Sequence, residues 1–516
     1  MGLFFNSLNQ YSSSLYEIAR NLLRSRNTQR ARADKLAVQN QQLKTDIERH
    51  RCESQEAKKQ HEQTKARLRQ QEEANEELRR QPVTLPSDLA LADHTYGVKM
   101  MALCMNLCKE IGFRPAETAL TIVFNWFGIE AKVPSHSSMR LWSCRAGVAQ
   151  LKQLRQQGDD WIWIADHSNQ IGQEKVLLII GVRTADLPPT GETLPLDKMV
   201  VLAAVPGTKW TCADVRREYA KLAEQIGPPK YLLTDGAVEL RDSADVLENN
   251  GKKPILLRDM KHFAANVFEK LVGKDEKFQA FLSKLGRTRS SVQQTELGHF
   301  TPPPQKPKAR FMNLGATLRW GQMVSYHLSH PHSKSRHGIT PARVNEKLGW
   351  VREFRDELAA WSRCQKVVQT SLRFINRQGV YHGAAAKLAA ELDRMREKHP
   401  HDCELSNTMA TKLIAFVQES ETQLEQGERT WLSTENIESL FGRYKRLEGQ
   451  HSKGGFTSLI AALPALLVDW TAARVRDALS DVSVKEMKLW VTENLGTTLT
   501  AKKNTAYREL AKSRSG

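Results

Sequence analysis

Five short apolar runs between residues 159 and 258 constrain this chain more than any other feature. They are WIWIAD, VLLIIGVR, KMVVLAAV, YLLTD and PILLRD. In the first run, Trp161, Trp163 and Ala165 point to one side and Ile162, Ile164 and Asp166 to the other, because side chains alternate along a strand. Both faces are apolar, so the strand belongs in the middle of a sheet covered on both sides. The polar stretch SNQIGQEK predicts a hairpin to the second run, and a Pro- and Gly-containing loop leads to the third. TCADVRREYAKLAEQIG reads as an amphipathic crossover helix. The resulting order is β-β-β-α-β-α-β-α, with three antiparallel strands and a fourth parallel to its neighbour.

Two of these strands run straight into an acid. Asp166 ends the first, and Asp235, followed by Gly236, ends the fourth. A bare carboxylate at the edge of an apolar layer costs several kcal/mol unless it is paired, hydrogen-bonded or metal-bound. If the two strands are neighbours the acids face each other, and a divalent cation with hard oxygen ligands, Mg²⁺ or Mn²⁺, relieves the repulsion. Each acid also has a plain structural reading: Asp166 as a turn residue before His167 and Ser168, and Asp-Gly as a turn dipeptide. A third acid is offered by STENIESLFGRYKRLEG, a helix with Ser433 or Thr434 as N-cap. Glu435 and Glu438 lie three apart on one face, and Lys445 stands two turns beyond Glu438. Sequence alone does not fix the helix phase, so Glu435 stands as the alternative to Glu438.

The rest of the chain divides by composition. Residues 1–80 form a charged helical arm rich in Gln, Glu, Lys and Arg; Leu36, Leu43 and Ile47 give a short heptad seam, read either as a coiled coil or as a single solvated helix. Residues 81–97 are a linker with Pro82, Pro86 and Gly97. Residues 98–155 show three helical patterns, Val98–Ile111, Pro115–Phe127 and His136–Leu151. This is either an ordinary three-helix packing unit or a helix-turn-helix DNA reader with Ser137, Arg140 and Arg145 on its reading helix. Residues 156–271 are the first part of the α/β core, 272–430 an all-helical insertion, 431–470 the helix carrying the third acid, and 471–516 a basic helical tail. The insertion is required because a compact core does not absorb a structureless loop between Asp235 and Glu438.

Of the 516 residues, 76 are Lys or Arg against 58 Asp or Glu, a formal charge of +18, which favours nucleic acid or an acidic surface as partner. No apolar run approaches the ~18–20 residues that span a bilayer, and the start of the chain lacks the pattern of a secretory signal. Seven scattered cysteines without a CxxC point to a reducing compartment rather than a disulfide framework. The histidines of HLSHPHSKSRH (His327, His330, His332, His337) sit in a polar loop with no cysteine near, a poor zinc set. Trp320, Trp350, Trp361 and Trp431 are either core anchors or stacking surfaces for an extruded base.

Asp166, Asp235 and Glu438, with Lys445 six residues beyond the Glu, resemble the Asp-Asp-Glu triad and Glu-x6-Lys/Arg element of insertion-sequence transposases of bacterial type, in the ribonuclease-H-like and retroviral-integrase superfamily. Asp259-Met260-Lys261-His262 resembles the Cys/Asp-x2-His element of several transposase groups with helical insertions. Thr434 stands where the fuller signature carries Arg. The resemblance covers residues 159–270 and 430–450. It implies a ribonuclease-H-like core with a mixed five-stranded sheet, interrupted by an all-α insertion and preceded by the coiled-coil arm and helix-turn-helix domain. It implies two Mg²⁺ ions, replaceable by Mn²⁺, held by Asp166, Asp235 and Glu438, with metal-assisted attack first by water and then by the freed 3′-OH on target DNA. Lys445 is expected to touch end DNA, and His262 and Asp259 to support the metal site or the scissile phosphate. Double-stranded DNA and further copies of the chain are the expected partners, with no membrane and no small-molecule substrate, in a bacterial cytoplasm beside the nucleoid. A catalytically idle DNA-binding derivative, or a nuclease or resolvase that cuts without joining, are the alternatives.

Overall fold

A computed structural model describes residues 15–80, 88–92, 94–153, 155–167, 175–207, 209–248, 251–305, 311–330, 339–397, 403–448, 458–495 and 505–510. The predicted turn over 168–174, His332 and His337, and most of the basic tail lie outside them.

The chain divides into two units. The first is dominated by helix α1 (Leu15–Arg80), 66 uninterrupted residues. At ~1.5 Å per residue it is about 100 Å long. Without Gly or Pro nothing breaks it, and local pairs such as Asp46–Arg49 (2.8 Å) and His50–Glu53 (3.0 Å) reinforce it. Its short seam is uncovered: Leu36, Leu43 and Ile47 are each more than half exposed.

The second unit holds the sheet and the remaining helices. Three helices come first: α2 (Val98–Ile111), α3 (Phe113–Phe127) and α4 (His136–Lys152). Gly112, at φ 94°, ends α2, and the Ser135 hydroxyl caps α4 by accepting from Ser138 N–H. Helix α4 is buried all round, not on one face: Met139, Trp142, Ser143, Cys144, Arg145, Ala146, Gly147, Val148 and Ala149 are all enclosed. Chain from the far end encloses it, namely 3₁₀ turns at Ser458–Ala462 and Pro464–Leu467 and helix Ala472–Asp481. A reciprocal amide pair joins the two ends of the chain, Asn106 Nδ2 donating to Trp470 O and Trp470 N to Asn106 Oδ1.

The sheet has five strands in the order β3-β2-β1-β4-β5. β1 (Trp161–His167) pairs antiparallel with β2 (Lys175–Arg183), which pairs antiparallel with β3 (Val200–Gly207). After helix α5 (Cys212–Ile226), β4 (Tyr231–Thr234) pairs parallel with β1. The short helix α6 (Val238–Arg241) and a 3₁₀ turn replace the single helix expected there, and β5 (Ile255–Arg258) pairs parallel with β4. Trp161, Trp163 and Ala165 pack on one face with Val215, Tyr219 and Leu222 of α5, while Ile162 and Ile164 are buried on the other. The sheet is thus mixed and covered on both faces, as the two-sided apolar pattern of β1 requires.

Helix α7 (Met260–Val272) leaves β5 directly. Then come α8 (Glu276–Val292), α9 (Leu314–Ser329), α10 (Pro341–Leu348), α11 (Arg355–Gln378), α12 (Ala384–Glu397) and α13 (Glu404–Glu421). Phe278, Phe281 and Phe354 pack edge-to-face and tilted against Trp350 and Trp361, with Trp320 beside Trp350. Trp320, Trp361 and Trp431 are buried, so these three are core anchors and not stacking surfaces. Chain returns to the sheet through Glu428, which accepts from both Lys230 and the Tyr231 hydroxyl at the start of β4. Helix α14 (Glu435–Glu448) comes next, and α15 (Ala472–Asp481) and α16 (Val484–Leu495) close the chain around α4.

Candidate functional site

The last paired residues of β1 and β4 are Ala165 and Thr234. The next residue on each strand is an acid, so Asp166 and Asp235 emerge side by side from the carboxyl ends of two adjacent central strands. Asp166 Oδ1 accepts from His167 N–H at 2.6 Å. Asp235 Oδ1 accepts from Ala237 N–H at 2.7 Å across Gly236, whose φ of 93° is the left-handed conformation the turn needs. The turn reading of Asp-Gly holds, and the turn leaves Asp235 beside Asp166.

Electrostatics mark Asp166 out. Burial pushes its carboxyl up to about 7, and the charge of Asp235 adds to the shift; His262 and the His167 amide oppose it. A carboxyl raised by burial and by a second carboxylate is short of a cation. The donor set, two hard carboxylates, suits Mg²⁺ or Mn²⁺, and ion binding removes the cost of charging Asp166.

A second cluster is built where β5 enters α7. Asp259 is fully buried and is the N-cap of α7. Its Oδ2 accepts from His262 N–H at 2.8 Å and lies 2.7 Å from His262 Nδ1. Its Oδ1 accepts from Thr434 N–H at 2.9 Å, just ahead of α14. Burial lowers the His262 imidazole, but Asp259 first, then Asp166 and Asp235, raise it by more, leaving it above its ordinary value. The His262 imidazole thus faces the acid pair, with its protonated form favoured by the three carboxyls around it.

Helix α14 carries Glu435 and Glu438 on its first turn. Thr434 occupies the capping position through its carbonyl, which accepts from Ile437 and Glu438 N–H, while the Ser433 hydroxyl accepts from Glu435 N–H. Glu438 Oε2 accepts from Lys261 Nζ at 2.6 Å, and Glu435 Oε1 lies 3.7 Å from the same amine. Glu435 Oε2 also accepts from Asn376 Nδ2 of α11 at 2.7 Å. Burial lowers the Lys261 amine and Glu438, Glu435 and Asp259 raise it, with a net upward shift. Among the described residues no group of three or more His, Cys, Asp or Glu side chains is close enough together to hold a metal ion. The structure thus sets Asp166 and Asp235 on adjacent strand ends, while Glu438 is engaged by Lys261 and is not gathered with them.

Lys261 is the participant that sequence reasoning missed in this role. Its position between Asp259 and His262 placed it near the site, but nothing in the sequence says that it reaches across to α14. His167 was also missed. It is half-buried, with both ring nitrogens enclosed and without a hydrogen bond, edge-on to Trp210 and 4.0 Å from Glu239. Burial pushes its imidazole down.

The proposed reading helix is where sequence and structure part. Arg145 is buried; its Nε donates to Val482 O at 2.7 Å and its Nη2 to Leu479 O at 2.6 Å, so it caps the end of α15 instead of facing DNA. Arg140 donates to the Ser458 hydroxyl at 2.6 Å and is also turned inward. Ser137 is exposed, as is Lys445 on α14. The physical reason is that residues 458–495 cover the face of α4 that a local reading leaves open.

No family model matches the sequence, and no curated protein matches it. Among solved structures the chain is similar to the Drosophila P element transposase strand transfer complex, with a TM-score of 0.37 and 10% identity over 74% of this chain and 94% of that one. No helix among the described residues is long and apolar enough to cross a membrane.

Proposed function

We propose that this chain is a DNA phosphoryl-transfer enzyme of transposase type, built on a ribonuclease-H-like core. The observation that carries the reading is the pair Asp166 and Asp235, side by side at the ends of adjacent parallel strands, with the Asp166 carboxyl pushed up by burial first and by the charge of its neighbour second. An antiparallel three-strand meander extended by two parallel strands on the β1 edge supports the core assignment.

In this reading Asp166 and Asp235 would hold divalent magnesium or manganese, and Glu438, paired with Lys261 in this structure, would be the third ligand. The metal supplies Lewis-acid stabilisation of the attacking and leaving oxygens of a phosphodiester. The chain supplies the rest. Asp259 orients the His262 ring through Nδ1, and the raised imidazole, when protonated, would favour an anionic phosphate beside the acids. Lys445, exposed two turns along α14, is placed to contact the DNA backbone. The excess of 18 positive charges draws duplex DNA to the protein. Cleavage at an element end, then attack of the freed 3′-OH on a second duplex by a homodimer or larger assembly, is the full activity proposed.

The Lys261–Glu438 ion pair favours a second reading, a DNA-binding protein of the same ancestry that does not cut. One assay separates them. Full-length protein is incubated with supercoiled plasmid and Mg²⁺ or Mn²⁺, and nicked and joined products are scored. Metal-dependent products that vanish in Asp166→Ala support the enzyme. Nicks without joined products point to a nuclease, and activity that survives Asp166→Ala removes the assignment.

A further inference from the structure

Two of the segments that bear the acids, the end of β4 and the entry to α14, meet at one residue, Asp259. The backbone N–H of Asp259 donates to Thr234 O at 2.8 Å, the residue immediately before Asp235. Its Oδ1 accepts from Thr434 N–H at 2.9 Å, and Thr434 O accepts from Glu438 N–H at 3.2 Å. Three successive hydrogen bonds thus run from the end of β4 to the backbone of Glu438. Alongside them Met260 N–H donates to Leu432 O at 2.9 Å, a second strut between α7 and the entry to α14. Asp259 is 0% exposed, so water cannot replace any of these bonds.

We infer that Asp259 is the positioning residue for the third acid: one buried carboxylate that pins α14, and with it Glu438, to the strand ends carrying Asp166 and Asp235. The inference rests on the phosphoryl-transfer reading, in which Glu438 works with those two acids. Capping a helix needs a single oxygen, and Oδ2 already does that for α7 through His262 N–H. The second oxygen is spent on a different segment, 175 residues along the chain. Only a short side chain with two acceptor oxygens serves both at once. Asn offers one acceptor, and Ser caps α7 but does not reach Thr434. The long insertion between α7 and α14 makes such a pin necessary, because nothing local in the sequence fixes where Glu438 returns.

The test is a double-mutant cycle on Mn²⁺ binding, monitored by the electron paramagnetic resonance signal of free Mn²⁺ with the full-length protein. The variants are Asp259→Asn, Asp259→Ser, Glu438→Gln and the two doubles. Asp259→Ser keeps the α7 cap, so it carries the test if Asp259→Asn does not fold; melting temperatures in EDTA report folding separately. If Asp259 acts through Glu438, each single variant weakens Mn²⁺ binding roughly 10-fold, as loss of a ligand's supporting contact does. In the Glu438→Gln background neither Asp259 substitution then weakens it further. Equal weakening with and without Glu438 overturns the inference and makes Asp259 a general fold residue. Glu438→Gln weakening binding while both Asp259 variants bind as wild type overturns it too, and leaves the phosphoryl-transfer reading standing. Wild-type binding by Glu438→Gln removes the third acid from that reading, and the inference goes with it.

Discussion

At the scale of single residues, burial and charge decide which side chains are poised for chemistry. Asp166 has its carboxyl raised to about 7 against ~3.9 for an unfolded aspartate. A raised acid binds its proton more tightly in the folded state. Its contribution to stability is therefore complete below about pH 4 and is lost as pH rises through 7. Asp235, His262 and Asp259 face it. In EDTA, the melting temperature of the wild type is expected to fall across pH 4–7 more than that of Asp166→Asn. At pH 8 the variant is expected to be the more stable by ~1–3 kcal/mol, discounted for the partial exposure of the site. Parallel pH curves for the two proteins would contradict the frustrated pair. Arg145 gives the opposite lesson. Its guanidinium satisfies two carbonyls at the end of α15, and Arg145→Met leaves both unpaired in a buried place. A loss of ~2–4 kcal/mol in urea unfolding is expected, with little change in DNA affinity once folding is matched. The two acids were legible because strand alternation and chain order put them at strand ends. Arg145 was misread because a basic residue on an apolar helix looks the same whether it faces solvent or a helix more than 300 residues away.

At the scale of elements, close approach sets what substitutions an element accepts. Helix α4 touches the 3₁₀ turn at Ser458–Ala462 through Gly147, where an added Cβ would stand 1.9 Å from Ala461 O. Gly147→Ala gains about 1 kcal/mol of helix propensity and loses more to the displaced backbone, for a net cost of ~1–3 kcal/mol. Gly442 on α14 is the control, since an added Cβ there meets nothing within 4 Å. Gly442→Ala is expected to stabilise by ~0.5–1 kcal/mol. Thermal melts of the two variants should move in opposite directions; movement in the same direction would show that the close approach is not what the glycine serves. The strands themselves were readable, because a run apolar on both faces has few other solutions. The middle helices were readable as helices but not as partners. Between α10 and α11 a 3₁₀ turn at Gly349–Phe354 breaks the helical run, so that Trp350 and Phe354 reach the aromatic core.

At the scale of the molecule, the proposed function makes net charge the term that would govern encounter with DNA and the fold the term that would decide where a duplex settles. The +18 charge attracts any duplex, so affinity alone does not identify a reader of sequence. With Arg145 and Arg140 turned inward, α4 is a poor candidate for base recognition, and the exposed cations of α14 move to the front of the argument. Lys445 and Arg446 stand on the helix that carries Glu438 and point to solvent. If DNA lies along α14 during catalysis, Lys445→Ala removes one phosphate contact. The slope of log affinity against log salt, measured by fluorescence anisotropy on a random duplex, should then fall by about 0.9, the value for one released counterion. Melting should stay within ~0.5 kcal/mol of wild type, because an exposed lysine adds little to stability. The same substitution at Lys132, exposed and before α4, provides the comparison. A slope unchanged by Lys445→Ala but lowered by Lys132→Ala would place the DNA against Lys132 and take Lys445 out of the mechanism.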